Sequence, residues 1–289
     1  MKPFTFVKAE DLEAAKQALK QYGDDARLIS GGQSLLNMMK MRIVRPSYVV
    51  SIGGIEALKQ YGYNGSDQLR IGAGVTYFSL ENSQFALGPH QMIAEVSANI
   101  ADISVRNMAT AGGAICQADP HSDFPALTVA LNSQFELESV RGKRIVTAEE
   151  FFTDYYETII QPDELLTAMI FPGMGPRTGW AFEKFYLRKG DYALASVACT
   201  LETDAENKVK QTKIVIGSTE AVPVRARETE ALLTGNILNE KLAEEAGRLA
   251  MEETEPLEDS IFSSARYKKE LVKTLTTRAL LRAQSRVKE

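Results

Sequence analysis

Apolar positions in the first fifty residues switch between a period of two and a period near 3.6. Phe4 to Val7 reads as a strand, while Leu12, Ala15, Leu19 and Tyr22 share one helical face that Gly23 can terminate. Ala26 to Ile29 reads as a second strand running straight into Ser30-Gly31-Gly32-Gln33-Ser34. Leu35, Leu36, Met38 and Met39 then make a short apolar helix. A residue before proline is pushed out of the helical region, so Arg45-Pro46 closes that segment, and Tyr48 to Ile52 follows as a strand. The pattern predicts a first lobe over residues 1–57.

A second lobe is expected over residues 58–175. Gln68 to Val75 reads as a strand, and His90 to Asp102 as a helix with Met92, Val96 and Ile100 on one face. A glycine turn, Thr110-Ala111-Gly112-Gly113-Ala114, comes next. Ser122 to Leu131 can be helical because Pro125 falls in its first turn. Gln134 to Val140 and Arg144 to Val146 flank Arg141-Gly142-Lys143 as a hairpin, and Thr147-Ala148-Glu149-Glu150 fits a capping box. Leu165 to Phe171 is a strand ending in Pro172-Gly173-Met174-Gly175-Pro176, the sharpest boundary in the chain. Over residues 176–289, three strands (Trp180 to Arg188, Leu194 to Glu202, Val209 to Gly217) precede helices at Asn239 to Glu253 and Ala265 to Arg286. Helices laid on one face of those strands make a small α+β unit.

Composition narrows the function. The 289 residues carry 33 basic and 38 acidic side chains, a net charge of -5 that lacks the basic excess of a nucleic-acid binder. Met1 to Phe6 holds no long apolar core of a secretion signal, and no stretch approaches the roughly 20 apolar residues of a membrane span. A cytoplasmic protein is expected. Cys116 and Cys199 are the only cysteines, too few for a thiolate-held cluster, and both read as buried, reduced thiols.

The two glycine segments carry the chemical signal. A Gly-Gly pair alone is an ordinary turn former. Two pairs beside hydroxyl residues, one feeding a helix start, supply close backbone approach and free N–H groups for a diphosphate. Other nucleotide signatures fail. Gly72-Ala73-Gly74 begins like a dinucleotide fingerprint, but Tyr77 stands where the third glycine is needed, and no P-loop occurs. Asp119, His121 and Asp123 could start a metal site, yet no second cluster supports them and helix capping accounts for Asp119 or Ser122, so no metal is expected. No Gly-x-Ser-x-Gly elbow exists and Cys116 has no evident base, so no catalytic side chain is assigned.

At these residues the chain resembles a known family. Ser30 to Leu36, with Met39-Lys40-Met41-Arg42 and Arg45-Pro46, is similar to the first FAD pyrophosphate segment of the flavoprotein (medium) subunits of molybdenum hydroxylases. Thr110 to Ala114, between Val105-Arg106-Asn107 and the run Ala118 to Leu127, resembles the second. The pattern is nearest to the medium subunit of aerobic carbon monoxide dehydrogenase and to the xanthine dehydrogenase FAD-binding subunits, and covers essentially the whole chain. The resemblance implies an α+β fold of the vanillyl-alcohol-oxidase (PCMH) type, with two subdomains clasping FAD and a C-terminal flavoprotein domain beside them.

It also implies roles. Ser30, Gly31, Gly32, Gln33 and Ser34, together with Thr110, Ala111, Gly112, Gly113 and Ala114, hold the pyrophosphate, with Arg27, Ile29 and Leu35 flanking the first segment. Ile100 meets the adenine end, Leu165 or Leu166 the flavin ring, and Asp123, with Asp119 before it, the acidic FAD contact. Lys184 matches a lysine beside the isoalloxazine and Tyr192 a tyrosine over it. On the residues alone, Lys184 equally reads as an exposed strand lysine and Tyr192 as a buried strand-start aromatic. Ala114 and Ile115-Cys116-Gln117 depart from the family's usual residues, which leaves main-chain binding intact but touches the tuning of the flavin.

The implied function is an electron exit. Substrate is oxidised at a molybdenum cofactor in a large subunit, and [2Fe-2S] clusters in a small subunit deliver electrons to FAD here. They then leave to NAD, a quinone or oxygen. A self-contained FAD reductase of the same fold and a non-redox nucleotide-binding scaffold are the alternatives.

Overall fold

The protein is seen in a computed structural model that describes residues 1–65, 67–83, 88–258 and 263–288. The N-terminal elements are β1 (Thr5–Lys8), α1 (Leu12–Tyr22), β2 (Ala26–Ile29), α2 (Leu35–Lys40) and β3 (Tyr48–Ser51). Both β1 and β2 pair in parallel with β3, giving a three-stranded sheet with β3 in the middle. Helix α1 starts where Asp11 accepts the Ala14 N–H at 2.8 Å, and ends at Gly23, whose φ of 51° suits a residue without Cβ.

A five-stranded antiparallel sheet follows, in the order β4 (Tyr61–Asn64), β5 (Gln68–Gly72), β10 (Leu165–Phe171), β6 (Gln134–Ser139), β7 (Gly142–Thr147). Between β5 and β6 run α3 (Tyr77–Glu81), α4 (Gln91–Ala98), α5 (Ile103–Met108), α6 (Ala111–Gln117) and α7 (Asp123–Ala130). The short α8 (Ala148–Phe151), β8 (Phe152–Asp154) and β9 (Glu157–Thr158) lie between β7 and β10. Ser139 pairs with Gly142, so the hairpin turns on Val140 and Arg141, one residue earlier than the glycine position suggested. The Thr147/Glu150 capping box forms as expected. Helix α4 is shorter than its apolar period, because Asn99 closes it and Ile100 lies in the connection beyond.

The C-terminal sheet has four strands, β11 (Thr178–Phe185), β12 (Ala195–Thr203), β13 (Val209–Gly217) and β14 (Val224–Arg225), against the three expected. After them come α9 (Arg227–Leu233), α10 (Glu240–Glu252) and α11 (Ala265–Ser285). The helices of this unit, α9 to α11, pack on one face as expected, and the opposite face is covered by α7 of the preceding lobe. Side chains alternate across a strand. Ala181, Val197, Cys199, Leu201, Ile214 and Ile216 pack in one core with Val272, Leu275 and Ala279 of α11. Trp180, Phe182, Ala198 and Val215 pack in the other, with α7. All eight residues of α7 are buried, because the helix lies against β12 and β13 on one side and against α4, α6 and α8 on the others.

Candidate functional site

The turn after β2 presents unused backbone donors. The N–H groups of Gly31, Gly32, Gln33 and Ser34 meet no acceptor among the described residues, and Gly32 holds φ at 72°. Successive free N–H groups around a left-handed glycine form a concave anion site. Gly31 admits no side chain, since a Cβ would stand 1.9 Å from the Met108 carbonyl oxygen. That contact presses the turn onto the end of α5, and Thr110 Oγ1 donates to Ser30 Oγ at 3.3 Å. Segments 80 residues apart in sequence therefore meet as one surface.

The second glycine segment is no free turn. It is the first turn of α6, capped by Thr110 Oγ1, which accepts the Gly113 N–H at 3.1 Å. Ala111 and Gly112 donate to the carbonyls of Val75 and Ala73, both at 3.0 Å. A Cβ on Gly112 would fall 2.4 Å from that of Ala73, so this glycine serves close helix packing while Gly113 stays exposed. The uncommitted donors belong to the first segment; the second supplies a wall, a helix end and a hydroxyl.

Below α6 the chain turns through Ala118 at φ 47°. Asp119 Oδ1 accepts the His121 N–H at 3.0 Å, and α7 opens on Asp123. The Asp123 carboxylate is 4% exposed; Oδ2 accepts from Lys184 Nζ at 2.7 Å, and Oδ1 is buried without a partner. Burial raises the Asp123 pKa above its ordinary value, against the opposing pull of the Lys184 ammonium. Lys184 is neither an exposed strand lysine nor a bare cation: its side chain is 8% exposed and its charge is compensated. Tyr192, read from sequence as a buried aromatic or a ring-facing one, is 61% exposed, its ring 6.4 Å from that of His121. Its loop is seated where a Cβ on Gly190 would lie 3.0 Å from the Ala101 carbonyl, next to the half-buried Ile100.

Other residues stand further from this surface. Arg27 donates to the carbonyls of Asp24 and Ala26 at 2.9 and 2.7 Å, which anchors its charge at the start of β2 while the turn follows the other end. Leu165 and Leu166 are 1% and 3% exposed within β10, so their side chains belong to the core. Cys116 is an exposed residue on α6, yet burial pushes its thiol up to about 12, as it does for the buried Cys199.

Tyr77 is the residue sequence reasoning passed over, having counted it only as an obstacle to a dinucleotide fingerprint. Its ring is 3% exposed and meets Phe124 edge-on at 4.8 Å; burial, and then the Asp123 and Tyr192 charges, raise its pKa well above the usual phenol value. The available signal was Thr76, whose side chain caps α3 and directs Tyr77 inward.

Residues 2–174 match the family of FAD binding domains in molybdopterin dehydrogenases, and residues 180–283 match the CO dehydrogenase flavoprotein C-terminal domain. The chain belongs to this flavoprotein family. This medium-type subunit is 34% identical to the carbon monoxide dehydrogenase medium chain of Afipia carboxidovorans, over 99% of this chain and 98% of that one. It is 33% identical to the nicotine 6-hydroxylase medium subunit of Paenarthrobacter nicotinovorans, over 91% of each. A solved carbon monoxide dehydrogenase from Hydrogenophaga pseudoflava superposes with a TM-score of 0.95 at 32% identity, covering all of both chains. The fold is accordingly the two-subdomain FAD-binding type with the CO dehydrogenase flavoprotein domain appended, and the protein is a FAD-dependent oxidoreductase subunit. The residues fit that cofactor: a row of free N–H groups suits its diphosphate, Gly31 lets the turn sit against the end of α5, and the exposed Gly113 leaves the other side clear of a side chain.

Proposed function

We propose that this chain is the electron-exit subunit of a molybdenum hydroxylase complex, and that residues 1–57, 58–175 and 176–289 divide the work of holding one FAD. The observation that carries the residue assignment is the union of Ser30 and Thr110 beside four unused N–H groups. Gly31 to Ser34 hold the pyrophosphate, Thr110 and the exposed Gly113 close its other side, and Ile29 and Leu35 flank it. Ala111 and Gly112 fix α6 against the strand carbonyls, and Ala114 continues the helix wall. Ile100 lines the adenine end. Asp119, Asp123, Lys184 and Tyr192 surround the ring, with Leu165 and Leu166 as its apolar backing, and Arg27 contributes by stiffening the start of β2.

When bound, FAD supplies a centre that takes up electrons singly or in pairs. The chain's own residues orient it and set the local field. The Asp123–Lys184 pair presents no net charge, and Asp123 places its carboxylate in the first turn of α7, at the positive end of that helix. Tyr192, exposed at the opening, shields the ring from water while leaving an edge for a donor or acceptor.

The partners in this reading are a large subunit with the molybdenum cofactor and a small one with [2Fe-2S] clusters; NAD, a quinone or oxygen takes the electrons. Among the described residues no helix is long and apolar enough to cross a membrane. We place the complex in the cytoplasm. The test is purification of the chain with its partners, followed by anaerobic reduction through the molybdenum site while flavin absorbance is followed. Bleaching of the flavin bands that requires the iron–sulfur partner supports the reading; a chain that binds no FAD, or turns over substrate alone, rejects it.

A further inference from the structure

A partly open cavity lies at the seam between the FAD-binding half and the C-terminal sheet. Its volume is about 160 Å³, and Asn132 and Pro172 to Gly175 line one wall while Thr178, Thr200, Glu202, Gln211 and Lys213 line the other. It shares no residue with the proposed FAD contacts. Gly175 keeps the space open, since a Cβ there would come within 2.9 Å of Glu202 Oε1 and 3.7 Å of Thr178 Oγ1.

Two lining groups are left incomplete. Lys213 is 7% exposed, and its ammonium, which has three protons to donate, reaches one side-chain acceptor, Asn132 Oδ1 at 2.7 Å. It forms no ion pair among the described residues. The carboxylates of Glu149 and Glu230 favour its charge without forming an ion pair to it, because Arg225 and Arg227 already hold them. Thr178 is also 7% exposed, and its Oγ1 is buried without a partner. The one carboxylate on the lining, Glu202, is held by Lys210 at 2.7 Å.

A buried ammonium without a counter-ion is costly, and burial followed by the Arg225 charge pushes the Lys213 pKa down. The C-terminal end of α7 beside Asn132 offers only about half a unit of negative charge. We propose that the cavity binds a compact oxyanion, a carboxylate or phosphate group, with Lys213 as its counter-charge and the Thr178 hydroxyl as a second donor. Walls from both halves make such an anion a clamp across the seam, as expected for a pocket at a domain interface.

The test titrates the FAD-loaded full chain separately with inorganic phosphate and with acetate by calorimetry, following the Lys213 ammonium by nitrogen-15 NMR. The expected result is saturable one-site binding of at least one anion and a shifted Lys213 signal. Lys213→Met should weaken that binding at least tenfold and Thr178→Val severalfold, with the flavin spectrum unchanged. Phosphate alone binding identifies a phosphate site, and acetate alone a carboxylate site. Should Lys213→Met fail to fold, Lys213→Arg must retain binding while Thr178→Val weakens it. No binding by the wild-type chain, or wild-type affinity in Lys213→Met or Thr178→Val, overturns the proposal. Because flavin loading is read independently, failure here leaves the FAD assignment untouched.

Discussion

Lys184 Nζ sits 2.7 Å from Asp123 Oδ2, and this ion pair, with side chains 8% and 3% exposed, ties α7 of the FAD-binding half to β11 of the C-terminal sheet. Removing one member leaves a buried charge unpaired, a change that typically costs about 3–5 kcal/mol. Lys184→Met should therefore lower the denaturation midpoint sharply. Adding Asp123→Asn should restore much of the loss, and chemical denaturation of the two single variants and the double variant measures the coupling. Equal losses that simply add would show that the two charges do not depend on each other.

Gly31 and Gly113 are expected to fail differently. Alanine at Gly31 forces a Cβ into the Met108 carbonyl, so Gly31→Ala should loosen the junction between the turn and α5 and reduce stability together with FAD retention. Gly113 is exposed, and a Cβ placed there meets no backbone but lies 2.8 Å from the Thr110 hydroxyl, which must turn partly aside. Gly113→Asp should therefore fold but lose FAD by at least a hundredfold through charge repulsion. Thermal melts of the apo forms alongside flavin-fluorescence titrations separate the two outcomes.

Thr110→Val removes both the Gly113 cap and the bond to Ser30 Oγ. Loss of an N-cap costs about 1 kcal/mol. FAD affinity should fall more than that figure implies, because the two segments are no longer registered. Thr110→Ser, which keeps the hydroxyl, should recover most of the affinity in the same titration.

Tyr192→Ala should leave stability within about 0.5 kcal/mol of wild type, as an exposed side chain does. The flavin absorption maximum and the rate of electron transfer should both change. An unaltered spectrum and rate would place Tyr192 away from the ring.

Acid sensitivity should trace to Glu136. Burial pushes its pKa up, but hydrogen bonds from Thr167, Lys143 and Arg70 outweigh that and bring it below the ordinary value. A lowered folded-state pKa means stability that is present above the unfolded value of about 4.3 and is lost as pH falls through the folded value. Urea denaturation between pH 6 and roughly pH 3 should show this decline. Glu136→Gln should be less stable at the upper end and show a shallower pH dependence.

Local order was legible in the chain: the strand, helix, strand, glycine-turn succession from Thr5 to Lys40, the Thr147/Glu150 box and the strand before Pro172 all follow from side-chain period, capping residues and the restrictions of proline and glycine. The family and its cofactor were also readable there, because Ser30 to Ser34 and Thr110 to Ala114 are short, contiguous stretches. Contacts between distant residues were not. That Thr110 meets Ser30, that Asp123 neutralises Lys184, that the second glycine pair spends its donors on Ala73 and Val75, and that Lys213 is buried beside Asn132 depend on how separate sheets and helices pack. Periodicity reports which face of an element avoids water; only the folded chain decides which other element covers that face, and therefore which charges and donors remain free for a ligand.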